Sequence, residues 1–249
     1  MTTGRLLVLL VACLAAPALA QDVFEVQVYD SETAPLGAMG FEVHANYFSR
    51  DTRNTHLTLE PHLGLGTWAE AGMYFTSVLS PDGRFDFAGV KARFKARWPE
   101  KLGGVVGLAL NQELSFGGGT YDDSGFDWEL RPVIDAEVGR FYFSLNPIVA
   151  AVLTGPGAGE VSFEPSVKAA FKVVDALSVG AEYYTGLGTF RRLAPLAEQT
   201  HRVFAAVDLK LKVGPAELGL NAGVGYTLVG EDRLVFKLIF STDFEPAPR

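Results

Sequence analysis

The 249-residue sequence holds one cysteine, Cys13. A lone thiol cannot form an intrachain disulfide, and a zinc centre built on cysteine thiolates is excluded with it. Basic residues are in deficit, with 21 Lys and Arg against 29 Asp and Glu and a formal net charge of −8. That balance repels a polyanion, and no basic patch with interleaved aromatics offsets it, so nucleic acid is not an expected partner. Beyond the first twenty residues no apolar run approaches the ~20 residues that a spanning helix needs. Catalytic signatures are missing as well. His44, His56, His62 and His201 fall on separate predicted strands, and neither His-Glu-x-x-His nor Gly-x-Ser-x-Gly occurs. Gly117-Gly118-Gly119 opens a loop with no helix after it, so it makes no phosphate cradle. The expectation is a chain with no catalytic residue, no cofactor and no bound metal. One alternative stays open, a His-carboxylate metal site, because His44 and His62 share a face with carboxylates; the other reading of those histidines is simple hydrogen bonding.

What the sequence does have begins with an export signature. Arg5 precedes an apolar run, and Ala18-Leu19-Ala20 is a small-x-small cleavage site, so residues 1–20 read as a signal peptide. Its removal would take Cys13 away. The competing reading takes Leu10-Val11-Ala12-Cys13 as a lipoprotein motif, with an unusually brief apolar region before it.

From Gly40 onward apolar and polar residues alternate, the period of a strand whose two faces meet different surroundings. Val90, Ala92, Phe94, Ala96 and Trp98 alternate with Lys91, Arg93, Lys95 and Arg97, which puts four successive cations on one face. The pattern predicts strands near 40–49, 55–65, 68–79, 85–98, 104–115, 126–137, 140–153, 160–172, 177–187, 201–213, 216–228 and 232–241, about twelve, an even number as bacterial single-chain barrels have. Connections at 66–67, 99–103, 138–139, 173–176 and 214–215 fall on one side. The two longest, around Tyr121 and Arg192, fall on the other, as short periplasmic turns and long external loops would. Alternation also fits a soluble sandwich or a lipocalin-like barrel with its apolar face inward. The export signal, strands of ~10 residues and an uncharged face along their whole length favour the closed antiparallel up-and-down transmembrane β-barrel. The expected layout is 21–39 as a periplasmic or lumen-entering segment, 40–241 as barrel and 242–249 as a tail. Trp68, Trp98, Trp128, Tyr47 and Tyr226 lie near strand ends, where interfacial aromatic belts would be.

Several phrases, among them 24–30 (FEVQVYD), 41–47 (FEVHANY), 56–61 (HLTLEP), 146–148 (NPI), 163–165 (FEP) and 182–184 (EYY), resemble an uncharacterised family of Gram-negative outer-membrane barrels grouped with outer-membrane proteins of meta-cleavage phenol-degradation pathways. The resemblance implies a barrel and a link to the uptake of small, aromatic solutes.

On the polar face carboxylates and cations are nearly balanced, which lets paired charges hold one another in a confined interior and predicts weak ion selectivity. Four prolines sit inside predicted strands, each just after a polar residue: Glu60-Pro61, Arg131-Pro132, Asn146-Pro147 and Glu164-Pro165. Proline gives no ladder hydrogen bond, so these are expected as bulges at mid-height. They would aim Glu60, Arg131, Asn146 and Glu164 at a common level with Arg93, Glu182 and Asp208. That candidate lumen belt would be a constriction for a solute, a docking ring for residues 21–39, or merely packing. The leading expectation is a narrow outer-membrane channel or uptake barrel whose partners are membrane lipid, the barrel-assembly machinery and small solutes. The alternative is a nonconducting structural or surface-interaction barrel.

Overall fold

The computed structural model describes residues 22–49, 53–117, 125–230 and 233–244. Residues 1–20, expected as a signal peptide with Cys13, the loop tip around Tyr121 and residues 245–249 of the expected tail lie outside them. The alternating segments form strands because one side of each can be buried and the other left apolar. β1 (Met39–Phe48), β2 (Thr55–Gly64), β3 (Ala69–Leu79), β4 (Phe85–Arg97), β5 (Val106–Gly117) and β6 (Phe126–Val138) pair antiparallel in sequence order. The seventh wall position is shared by β7 (Phe141–Asn146) and β8 (Val149–Thr154), the eighth by β9 (Val161–Phe163) and β10 (Ser166–Val174). β11 (Leu177–Gly186) is prolonged by β12 (Gly188–Thr189), which turns back on β13 (Arg192–Leu193) as a small rim hairpin. A 3-10 turn at Leu196–Glu198 leads to β14 (Thr200–Val213), β15 (Ala216–Val229) and β16 (Leu234–Phe244). β16 then pairs with all ten residues of β1, from Met39↔Phe244 to Phe48↔Val235, and the wall closes into a twelve-strand antiparallel barrel. Closure leaves the wall without an open first or last strand, the condition for placing a sheet in hydrocarbon.

The two faces are the reverse of a water-soluble barrel. On β16 the side chains of Phe236 and Leu238 are 44% and 46% exposed on the outside, whereas Lys237 between them is 3% exposed. Phe94 points outward while Arg93 and Lys95 are buried in the lumen. An ordinary soluble core would hide the Phe and Leu row and solvate the cations, so the soluble alternative fails here. Trp68 and Trp98, each one residue beyond a strand on the inner side, are exposed at the rim.

The prolines do not make bulges. Pro147 and Pro165 each split one wall strand in two. At Pro147 register is kept: β6 pairs Leu130↔Val149 and Ile134↔Leu145 across the break, with three residues unpaired on either side. At Pro165 it is kept toward β7 and β8, from Phe163↔Val149 to Ser166↔Asn146, while on the other side the extra residue falls on the neighbouring strand, between Tyr184 and Thr189. At Pro61 the β2–β3 ladder lapses between Leu59↔Phe75 and His62↔Gly72, equally on both strands as at Pro147, while Pro132 stays paired with Leu110. The missing N–H removes a hydrogen bond without adding a residue, so a gap results instead of an offset. Register shifts occur elsewhere, at Thr76/Ser77, Phe126/Asp127, Lys172/Val174 and His201/Arg202. The last strand also continues past residue 241, where the alternation in the sequence weakens, and its Phe244 pairs with both Met39 and Ala216.

Candidate functional site

The lumen holds the chain's own first described residues. The segment enters at the inner rim, where the Gly37 N–H donates to the Gly64 carbonyl at 2.9 Å, and passes so close over Gly64 that a Cβ there would lie 1.9 Å from the Pro35 oxygen. It then climbs the barrel, and its alternation sorts its side chains. Val26 and Val28 join Phe48, Tyr184, Phe204 and Val235 in an apolar cluster, and Phe24 meets the edge of the His56 ring at 5.1 Å. The intervening residues face charge. Glu25 takes an ion pair from Arg131 at 3.0 Å, and Asp22 pairs with Lys91. Farther down, Ser31 donates through its backbone and its hydroxyl to Asp135, both at 2.8 Å, and the Ala34 N–H donates to Glu70 at 2.6 Å.

Tyr29 is the hub. Its N–H donates to Asn146 Oδ1 at 2.7 Å and its carbonyl accepts from Asn146 Nδ2 at 3.1 Å, so one side-chain amide imitates the exchange a neighbouring strand would offer. Ser144 donates to the same carbonyl at 2.6 Å. The ring lies against the Arg131 guanidinium, 4.4 Å from its centroid, and the phenol oxygen is 2.5 Å from that of Tyr74. Burial pushes the Tyr29 phenol well up, and the carboxylates of Glu25, Glu113 and Glu60 add to this, so it remains a neutral hydrogen-bonding group. For Asp30, withdrawal from water acts to raise the carboxyl, but Lys95 at 3.5 Å and the more distant Lys210 outweigh it and hold the group low.

The candidate belt is divided among separate clusters. Arg93 lies between Glu60 (2.6 Å) and Glu70 (2.7 Å), above Gly72, where a Cβ would come within 3.3 Å of both Glu60 and Arg93. Arg131 is held by Glu129 at 2.8 Å and by Glu25. Glu182 and Asp208 meet through Lys168, at 3.1 and 2.7 Å. Asn146 serves the segment, and Glu164 accepts from Ser162 at 2.7 Å. What joins the Arg93, Arg131 and Asn146 groups is Tyr29, whose ring also has Arg93 5.9 Å from its centroid. The void between the segment and Glu129, Arg131, Ile148 and Glu164 is about 10 Å³, room for one water at most.

Sequence reasoning passed over Lys237, which is buried beside Glu182, takes it as an ion-pair partner, and donates to the Val26 carbonyl at 3.2 Å. The signal was present: Leu234, Phe236, Leu238 and Phe240 face out, so the residues between them face in, and Lys237 is the charged one among Val235, Lys237 and Ile239. Glu42 was likewise passed over, although it shares its face with His44.

No protein-family model and no curated protein sequence matches the chain. Solved structures do share the architecture. The COG4313 outer membrane channel from Pseudomonas putida F1 superposes with a TM-score of 0.58 at 13% identity, over 88% of this chain and 100% of that one. The NanC porin gives 0.56 at 8% identity over 83% and 100%, and the KdgM porin 0.55 at 9% over 83% and 99%. At such identities the likeness establishes the fold, that of porin-type outer-membrane barrels.

Proposed function

We propose that the protein is a non-enzymatic outer-membrane channel for small solutes, shut at rest by residues 22–38. The observation that carries this is the pairing of an apolar exterior with a charged lumen occupied by a segment that is covalently continuous with the wall only where β1 begins and is otherwise held by non-covalent contacts. A twelve-strand barrel lies between the eight-strand case, filled by side chains, and the sixteen-strand case, open to water, so emptying it would leave a narrow pore. The solved structures of the same architecture that are porins or channels support the reading. Balanced lumen charge argues for weak preference between cations and anions, and the resemblance to phenol-pathway barrels makes small aromatic compounds the first solutes to test. Membrane lipid around the apolar wall and the barrel-assembly machinery complete the proposed set of partners.

The test is planar-bilayer conductance of the full mature chain against a form lacking residues 22–37. The full chain should conduct poorly and the shortened one steadily, with a reversal potential near zero in a salt gradient. Equal silence of both forms supports the second reading, a nonconducting structural or surface-interaction barrel, which the close packing of the segment against Glu129, Arg131 and Glu164 favours.

A further inference from the structure

We infer that Glu42, His44 and Glu60 form a binding site for one divalent transition-metal ion, zinc being the best match, that fastens β1 to β2 inside the lumen. Glu42 and His44 stand two apart on β1 and share its inner face, and Glu60 is directly opposite Glu42 on β2. His44 Nε2 is 3.2 Å from Glu42 Oε2 and 3.8 Å from Glu60 Oε2, and the three donor atoms lie within 4.8 Å of one another. Zinc–ligand bonds of about 2.1 Å in a tetrahedron place donors about 3.4 Å apart, so these separations bracket what one ion needs.

The competing occupant is a proton, which would let the imidazole pair with both carboxylates. His44 is fully buried, its Nε2 approaches Glu42 and Glu60 only at 3.2 and 3.8 Å, and neither ring nitrogen makes a well-aligned hydrogen bond. An imidazole in that state costs free energy unless something else takes its lone pair. His62 does not compete, because Asp243 holds it at 2.7 Å. A further donor is at hand on the lumen segment: Gln27 reaches Glu42 at 3.4 Å, and its own amide oxygen is buried without a partner. Turning that amide over would present the oxygen to an ion.

Charge points the same way. Arg93 is the one guanidinium in direct contact, shared by Glu60 and Glu70, while Lys95 acts on Glu70 and is itself paired with Asp30, so with Glu42 the cluster stays acidic and favours a cation between Glu42 and Glu60. Arg93 takes the Glu60 oxygen that faces away from His44, which fixes the other for the ion, the role outer-shell partners play in metal sites. The inference rests on the fold and is independent of whether the lumen conducts.

The mature chain, refolded in detergent and stripped with chelator, would be titrated calorimetrically with zinc chloride. One ion per chain is expected. Replacing the imidazole (His44→Ala) should weaken binding by at least about 100-fold and Gln27→Ala by up to about tenfold, judged against what outer-shell losses alone cost. The His201→Ala control should bind as the parent does, since that ring is engaged by Tyr183 and Gln199. No saturable binding by the parent chain, or undiminished binding by the His44→Ala form, overturns the site. Should His44→Ala fail to fold, the Cu²⁺-loaded parent chain decides by electron paramagnetic resonance: one coupled imidazole nitrogen is expected, and none or several would refute the assignment.

Discussion

The two sides of the lumen segment are held by different physics. On one side Val26 and Val28 bury against Phe48, Phe204 and Val235; on the other Glu25 and Tyr29 meet Arg131 and Asn146. Apolar contact is adhesive but tolerant of small displacements, whereas paired charges and a two-way amide contact are satisfied in one position only. A slip of one residue would exchange the faces and put Glu25 against Phe204. The comparison teaches that the first side supplies attachment and the second supplies register.

The largest effect should come from the register side. Arg131→Met leaves the partly buried Glu129 without its ion-pair partner and Glu25 with only the longer contact to Lys91 at 3.6 Å, which should cost about 3–5 kcal/mol. Urea unfolding in lipid vesicles measures it, and a loss under about 1 kcal/mol would break the distinction drawn above. Val26→Ala comes next. Losing two buried carbons' worth of apolar surface should cost about 2 kcal/mol and raise open probability in bilayers while leaving the position of Tyr29, read by cysteine cross-linking of neighbouring sites, unmoved. If Tyr29 shifts, attachment and register are not separable. The smallest effect is that of acid on Asp30. Lys95 and Lys210 outweigh burial and hold this carboxyl below its ordinary range, so its contribution is full above that range and is lost as the pH falls through the lowered value. Proteolysis near Ser31 should therefore be unchanged between about pH 7 and 5 and rise only below about pH 4, with the Val26 contact indifferent throughout. Loss of protection already at pH 6 would place the sensitive group elsewhere.

Most of the wall was legible because it depends on a period of two, and the row of Lys91, Arg93 and Lys95 announced its buried face. Strand number and the sides of the turns followed, helped by Gly139 and Gly214, whose φ values of 63° and 62° demand glycine at those tight turns. The lumen was less legible. Which inward side chains meet depends on strand tilt and on reach across the barrel, neither of which local pattern contains. Glu60 and Arg93 could be placed at one level but not seen to be joined, and Asn146 looked like a belt member when its amide serves the backbone of Tyr29. The prolines were located correctly and misread, because a lost donor and an added residue leave the same trace in a sequence. The alternation of Phe24, Val26 and Val28 was visible too; nothing in it told that its apolar side would find Phe48 and Val235, the latter more than two hundred positions away.

That separation has a bearing on the order of assembly. The Val26 carbonyl accepts from Lys237, 211 residues later, and the strand carrying Lys237 is the one that seals the wall against β1. The amino-terminal residues therefore cannot reach their final contacts until almost the whole polypeptide has been synthesised and laid edge to edge. A segment that precedes every strand of the wall is thus among the last to come to rest, and contacts of such long sequence separation make for slow folding.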